Sequence, residues 1–369
     1  MNNFTLEDAR AADRPELLDF LHDAFKGDNP NHLRFEALYP DMLQPTDAGM
    51  APHRITRHEG KICACVGWYP MKVRVGECVV DVYGIGQVSC APALRGGGRM
   101  TALLNDVCEK MEKSGAGLSW LGGRRDRYAH FGWDVAGSNA ASGMSAKSAG
   151  EPAAGWTVEQ VEASHIARFW PLINRAAVSE EVSPETWIAR LSRCGKRHRV
   201  FVASRGKDVE AVCVAQSESG NNLVEWAGDT AGIHAICAHL LKSQRNVYAT
   251  YSPAVDPAAD MFWRCGEWCS APMANLRILN LAALLKSYAP WLEKRVPAGA
   301  GVLLKINENG DTAQLGAANG DLIAFDRLKM VRLMFGPIAP SVVAGLPDKL
   351  RWLDQVFPLP FLLPPLSHV

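Results

Sequence analysis

Apolar positions recur at helical spacing over residues 13–26, where Leu17, Leu18, Leu21 and Phe25 share one stripe. From His53 the rhythm changes. The stretch "HRITRHEGKICACVGWYPMKVRVGECVVDVYGIGQVSC" is crowded with β-branched residues and broken by turn signals at Glu59-Gly60 and Gly76-Glu77. It predicts an antiparallel meander of three or four strands ending near Cys90. Then comes "APALRGGGRMTALL". After its glycines, Met100, Leu103, Leu104, Val107 and Met111 line one helical face, closed by Gly115 and Gly117. "LSWLGG" reads as a short buried strand, and "RRDRYAHFGW" as a helical turn ending at Gly132. A meander leading into a strand, loop and helix makes the fold class α/β (α+β).

The same order returns later in the chain. "HRVFVASRGKDVEAVCVAQ" (198–216) parallels "HRITRHEGKICACVGW" (53–68), each a strand, a basic Gly-Lys turn and a strand. "DTAGIHAICAHLLKS" (229–243) falls where "RGGGRMTALLNDVCE" (95–109) falls, and "DMFWRCGEWC" (260–269) where "DRYAHFGWDV" (126–135) falls. Thirty residues separate Gly98 from Tyr128, and thirty separate Gly232 from Phe262. A duplicated unit is the better reading of three elements in one order. In the second copy Asp229 replaces Arg95, Thr230 and Ala231 replace Gly96 and Gly97, and Phe262 replaces Tyr128. The first copy is therefore expected to be active and the second to be scaffold.

From Asn280 the pattern shifts to a small α+β module: a helix at "LAALLKSY", a hairpin around Asn309-Gly310, and an amphipathic helix "DRLKMVRLMFG" ending at Gly336. The chain closes with "WLDQVFPLPFLLPPLSHV". Pro358, Pro360, Pro364 and Pro365 exclude a helix and a central strand there. So apolar a tail should lie in a groove of its own protein or of a partner.

Composition narrows the function class. Of 369 residues, 39 are Lys or Arg and 39 are Asp or Glu, so the net charge is zero. A general nucleic-acid binder needs a basic surplus and is not expected, although Arg124, Arg125 and Arg127 could form a local patch. Acidic residues stand near the start where an export signal would carry an apolar core, and no apolar run approaches the ~18 residues of a membrane span. A cytoplasmic protein is expected. The ten cysteines are scattered and read as buried thiols rather than bridges. Cys63 and Cys65 are too close for a zinc knuckle, and Cys265 and Cys269 lack a second pair, so no metal is expected.

The chemistry concentrates in the glycine loop. A loop entering a helix offers unpaired N–H groups and the positive end of the helix dipole to a phosphate. Glycine lets the backbone approach closely, and Arg95 and Arg99 add charge. By themselves three glycines are equally a flexible helix entry. A Walker loop is absent, and the loop follows a meander rather than the first strand of a dinucleotide fold.

The pattern resembles the acyl-CoA loop of the GNAT N-acetyltransferases, in which V-x-x-x-P and R/Q-x-x-G-x-G/A follow a strand. Val88 to Pro92 and Arg95-Gly96-Gly97-Gly98-Arg99-Met100 match, with Met100 where Gly or Ala is usual. The family's Y-x-x-x-G-aromatic turn is matched by Tyr128, Gly132 and Trp133. The whole chain resembles the enhanced intracellular survival (Eis) type. That resemblance implies tandem GNAT folds, with mixed, mostly antiparallel sheets flanked by helices, plus a small sterol-carrier-like domain. The implied limits are a catalytic domain over 1–150, a degenerate second one over 151–278, and the sterol-carrier-like domain with its tail over 279–369. It is strongest over 84–136 and weakest over 150–275.

The resemblance further implies an acetyl-CoA-dependent N-acetyltransferase acting on a primary amine of an aminoglycoside, polyamine or lysine, without metal. Cofactor contacts would come from Val88, Ser89, Cys90, Arg95, Gly96, Gly97, Gly98, Arg99, Met100, Thr101, Gly123 and Arg124. Tyr128 would protonate the leaving thiolate, and the terminal carboxylate, here that of Val369, would be the base. The proline-rich tail would then be a tether for that carboxylate, or else a segment packed at a subunit contact. Trimers or hexamers occur in the family. The competing reading is a non-catalytic acyl-CoA- or lipid-binding scaffold. Phe25, Asp28 and Trp68 are candidate neighbours of the acceptor.

Overall fold

A computed structural model describes residues 4–29, 31–216, 222–298, 300–306, 312–317 and 322–369. The expected first helix is Arg14–Phe25. The meander is three strands, His53–His58, Lys61–Val75 and Cys78–Cys90. Both turns hold two residues, because His58 pairs with Lys61 and Val75 with Cys78. Glu59 and Gly60 both take positive φ, the mirror-image turn whose twist suits a hairpin. The glycine loop enters the helix Arg99–Lys113, which buries Leu103, Leu104, Val107 and Met111 against the sheet. The strand Leu118–Leu121 then pairs parallel to Cys78–Cys90.

The second copy repeats this frame. His198–Arg205 and Asp208–Gln216 form a hairpin, Asn222–Gly228 follows, and the helix Thr230–Leu241 leads to Asn246–Tyr251, parallel to Asn222–Gly228. The molecule is thus α/β with two mixed, GNAT-like sheets and one small sheet.

The two large sheets trade strands. Asn139–Ser145 lies between Asn246–Tyr251 and Gly266–Ala271 in the second sheet. Ala274–Ile278 lies between Leu118–Leu121 and Asp134–Ala136 in the first. Each copy therefore supplies the strand that bridges the other copy's edge. Val178–Glu180 also joins the first sheet, against Lys61–Val75. Periodicity reveals a strand but not its partner, and the exchange was not foreseen.

The C-terminal module pairs Val302–Ile306, Thr312–Ala317 and Leu322–Asp326 antiparallel, with the helices Leu281–Ser287 and Arg327–Phe335. The turn expected at Asn309-Gly310 lies outside the described residues. The tail lies in a groove of its own chain. Leu359, Phe361 and Leu363 are fully buried with Tyr288, Leu333 and Phe335. Its backbone is held by Tyr288 Oη on the Pro360 carbonyl at 2.6 Å, Trp291 Nε1 on Val356 at 2.8 Å, and Asn139 Nδ2 on Phe361 at 3.2 Å. These bonds satisfy carbonyls that no strand pairing takes up. All ten cysteines are free; seven are buried as expected, but Cys194 and Cys269 are exposed and Cys90 is half-buried. Among the described residues no helix is long and apolar enough to cross a membrane.

Candidate active site

Cys78–Cys90 and Leu118–Leu121 pair only from Val82–Leu118 to Ile85–Leu121. Beyond Ile85 the strands part. The edge from Gly86 to Cys90 is left facing a gap, because its other side is taken by Lys61–Val75. Gln87 adopts φ +48°, a conformation rarely held by a side-chain-bearing residue, at a bulge in this ladder. A buried chain of contacts braces it: His53 Nδ1 to the Met50 carbonyl at 3.0 Å, His53 Nε2 to Tyr69 Oη at 2.7 Å, and Tyr69 Oη to the Gln87 side-chain amide. Burial depresses His53 to about 4 and pushes the Tyr69 phenol well up, so both groups are neutral.

At the mouth of the gap a cavity of about 670 Å³ is lined by the strand end, the glycine loop and the Tyr128 turn. Gly96 and Gly98 hold φ of +80° and +76°, the left-handed region that glycine enters without steric cost. Gly98 is the helix N-cap, and no side chain caps it. The first turn also carries no acidic residue. The leading amides of Arg99–Lys113 are therefore free to receive an anion. Among the described residues Arg99 Nε is buried without a hydrogen-bond partner, and its guanidinium lies 5.0 Å from the Phe4 ring centre. Arg95 Nε reaches back to the Cys90 carbonyl at 3.4 Å.

Ten of the expected cofactor and catalytic residues line this cavity: Val88, Ser89, Cys90, Arg95, Gly96, Gly98, Arg99, Met100, Thr101 and Tyr128. Gly97 sits inside the loop, where a Cβ would come within 2.9 Å of Arg99 Nη1. Gly123 and Arg124 do not line the cavity. A Cβ on Gly123 would meet the Tyr128 ring at 3.2 Å, so Gly123 leaves room for that ring. Arg124 is exposed and ion-paired with Asp126 at 2.7 Å. Arg127, His130 and Phe131 line the cavity as well and were not foreseen in that place. Of the acceptor candidates, Phe25 lines it. Trp68 instead stacks on Tyr83 beneath the helix Arg99–Lys113, and Asp28 is not among the lining residues.

Tyr128 is half-buried, and burial raises its phenol above 10 despite the opposing charge of Arg127. It thus keeps its proton at neutral pH. Its turn is clamped from outside. Gly132, at φ +90°, leaves no room for a side chain, because a Cβ would meet Arg327 Cδ at 2.7 Å and Arg277 Nε at 3.2 Å. Both arginines donate to Glu112 at 2.8 Å. Three segments of the chain therefore converge on the turn after Tyr128.

Val369, the last residue of the sequence, lies at the parting of the strands. A Cβ on Gly84 would come within 2.6 Å of the Val369 side chain, and one on Gly86 within 3.0 Å of its carbonyl carbon. Arg193 fixes the approach by donating to the carbonyls of Leu366 and His368 at 2.9 and 2.7 Å. Arg190 donates to Ser367 Oγ at 3.1 Å. Both arginines bond the buried Asp41 carboxylate. Although burial works to raise Asp41, the two guanidiniums hold it below the usual carboxylate range. The His368 ring lies 5.2 Å from the Trp120 ring.

Residues 5–136 match the acetyltransferase (GNAT) domain family. No curated protein matches the chain. Several solved structures share its fold end to end, three of them as follows. The GCN5-related N-acetyltransferase from Anabaena variabilis is 16% identical, with 96% of this chain and 97% of that chain covered at a TM-score of 0.69. The GCN5-related N-acetyltransferase from Kribbella flavida is 18% identical, with 100% and 98% covered at 0.68. Eis1 from Mycobacterium abscessus is 13% identical, with 99% and 100% covered at 0.67. The matched stretch, residues 5–136, holds the glycine loop, the helix after it and the Tyr128 turn.

Proposed function

We propose that the chain is an acetyl-CoA-dependent N-acetyltransferase whose acceptor is a primary amine of an aminoglycoside, polyamine or lysine. One observation carries this reading: an uncapped helix N-terminus, an unpaired strand edge and a protonated tyrosine meet in one cavity. The amides from Gly96 to Thr101, with Arg95 and Arg99, suit a pyrophosphate. The free edge at Val88 to Cys90 suits a pantetheine arm and the thioester carbonyl, whose developing charge a backbone N–H can stabilise. Tyr128 is then the acid that protonates the departing thiolate.

An amine with a pKa near ~10.4 must first lose a proton. The Val369 carboxylate is the proposed base, because Gly84 and Gly86 make room for it at the strands' parting. On this reading the chain divides into a catalytic unit over 1–150, a second unit over 151–278, and a sterol-carrier-like module over 279–369 that orients the tail.

The test is thiol release from acetyl-CoA with a panel of amines, with products weighed by mass spectrometry. Acetylated amine with the wild type, and its loss in Tyr128→Phe, is the expected outcome. Acetyl-CoA binding without any acetylated product would leave only a binding scaffold.

A further inference from the structure

The second sheet has a cleft of its own. Asn222–Gly228 and Asn246–Tyr251 are bonded only at Asn222–Tyr248 and Leu223–Ala249. Past that point they part, and a cavity of about 500 Å³ opens between Val224–Gly228 and Thr250. It stands in the second sheet where the glycine-loop cavity stands in the first.

Its polar groups have the opposite sign. The Asp229 carboxylate accepts from the amides of Ala231 and Gly232 at 2.8 and 3.2 Å, so the helix entry is already capped by a negative charge. A phosphate has no place there. Leu172, Val224, Ile233 and Leu362 supply apolar wall, and two carboxylates stand among them, Glu225 and Asp256. Asp256 is satisfied by Trp226 Nε1 at 3.0 Å and the Ala258 amide at 2.9 Å. Glu225 is 6% exposed and, among the described residues, accepts one hydrogen bond, from Trp187 Nε1 at 2.6 Å. A carboxylate offers about four lone-pair sites, so most of its capacity is unused. The nearest buried cation, Arg190, is already bonded to Glu180 and Asp41. Arg175, exposed, is the one cationic lining residue.

We propose that this second cleft binds a small organic cation, a single primary ammonium on an apolar body, with Glu225 receiving the ammonium. A buried carboxylate with one partner is costly unless a cation joins it. Burial pushes Glu225 up to about 7; the Trp187 bond and Arg190 oppose that, and Glu180 adds to it. A bound ammonium favours the carboxylate form, so binding weakens as pH falls below about 7. Asp256 and Arg175 are the other charged groups lining the cleft.

The test is titration calorimetry of the full chain with 4-phenylbutylamine at pH 8, with 4-phenylbutanol as the neutral control. The expected result is a site that Glu225→Gln weakens about tenfold or more, and for which the alcohol is at least as much weaker. Thr250→Trp fills the cavity from an exposed wall position and should abolish binding. Amine bound in the glycine-loop cavity would survive both substitutions and is thereby told apart. Absence of amine binding overturns the proposal, as does equal affinity for amine and alcohol, or amine binding unaffected by Glu225→Gln. Should Glu225→Gln fail to fold, amine binding that survives Thr250→Trp overturns it alone.

Discussion

The two clefts share a frame and differ in charge. In each, a pair of parallel strands separates after a short contact and a helix starts beside the opening. In the first, the helix entry is Gly98 with no side-chain cap, flanked by Arg95 and Arg99. In the second, Asp229 caps the helix, and Glu225 and Asp256 line the opening. The apolar positions that build strands and helix persist in both, whereas the ligand chemistry rests on a few residues at the loop. Packing thus preserves the cleft while substitution at its rim redirects what it accepts.

The largest expected effect tests the tyrosine that the second copy lacks. Tyr128→Phe should lower acetyl transfer ~100-fold or more, with acetyl-CoA affinity unchanged by calorimetry. Full turnover would remove Tyr128 from the chemistry. Next, Gly98→Asp imposes the second cleft's sign on the first. Gly98 has open space for a side chain, and Asp tolerates its left-handed backbone. Acetyl-CoA should bind about tenfold more weakly or worse, while Gly98→Asn should retain more affinity. If both variants bind equally, charge is not what separates the clefts. A few residues appended after Val369 should slow turnover about tenfold at unchanged acetyl-CoA affinity. Undiminished turnover in a folded variant would leave the tail a packing role alone.

The effects on stability run in opposite directions with pH. Glu225 rises from an ordinary 4.5 to about 7 in the folded chain, so the folded state holds its proton more tightly than the unfolded one. Stability is therefore lost as pH rises from about 4.5 to 7, by on the order of 3 kcal/mol. Glu225→Gln should raise the melting temperature at pH 8 and leave it nearly unchanged at pH 4; equal shifts at both would contradict the burial argument. His53 falls from 6.5 to about 4, chiefly by burial, so here the unfolded state binds more protons. Its share of stability is lost as pH falls from about 6.5 toward 4. Urea melts across that range should show the wild type losing stability relative to a folded His53→Gln variant as the pH falls.

Local patterns made the first cleft legible. The turn at Glu59-Gly60, the stripe from Met100 to Met111 and the spacing from Gly98 to Tyr128 are short-range, and each maps to the element expected. The acidic residue at Asp229 was readable too, although it stands at the helix cap that Gly98 fills in the first copy and not opposite Arg95. Long-range pairing was not. Nothing within "NAASGMS" or "ANLRI" says that these strands cross to the opposite sheet, because alternation reports a buried face and not a neighbour. The arginines at 190 and 193 that grip the tail, and those at 277 and 327 behind Gly132, lie far in sequence from what they hold. Composition offered only their number.

The exchanged strands also impose an order on synthesis. When residues 1–150 have left the ribosome, the first sheet still lacks Ala274–Ile278, and Leu118–Leu121 presents a bare edge on the side which that strand will cover. Asn139–Ser145 meanwhile has no sheet to join until Asn246–Tyr251 is made. Neither half can finish folding ahead of the other, unlike the N-terminal-first habit of most multidomain chains. The nascent protein must keep two open edges apart over more than a hundred residues of translation.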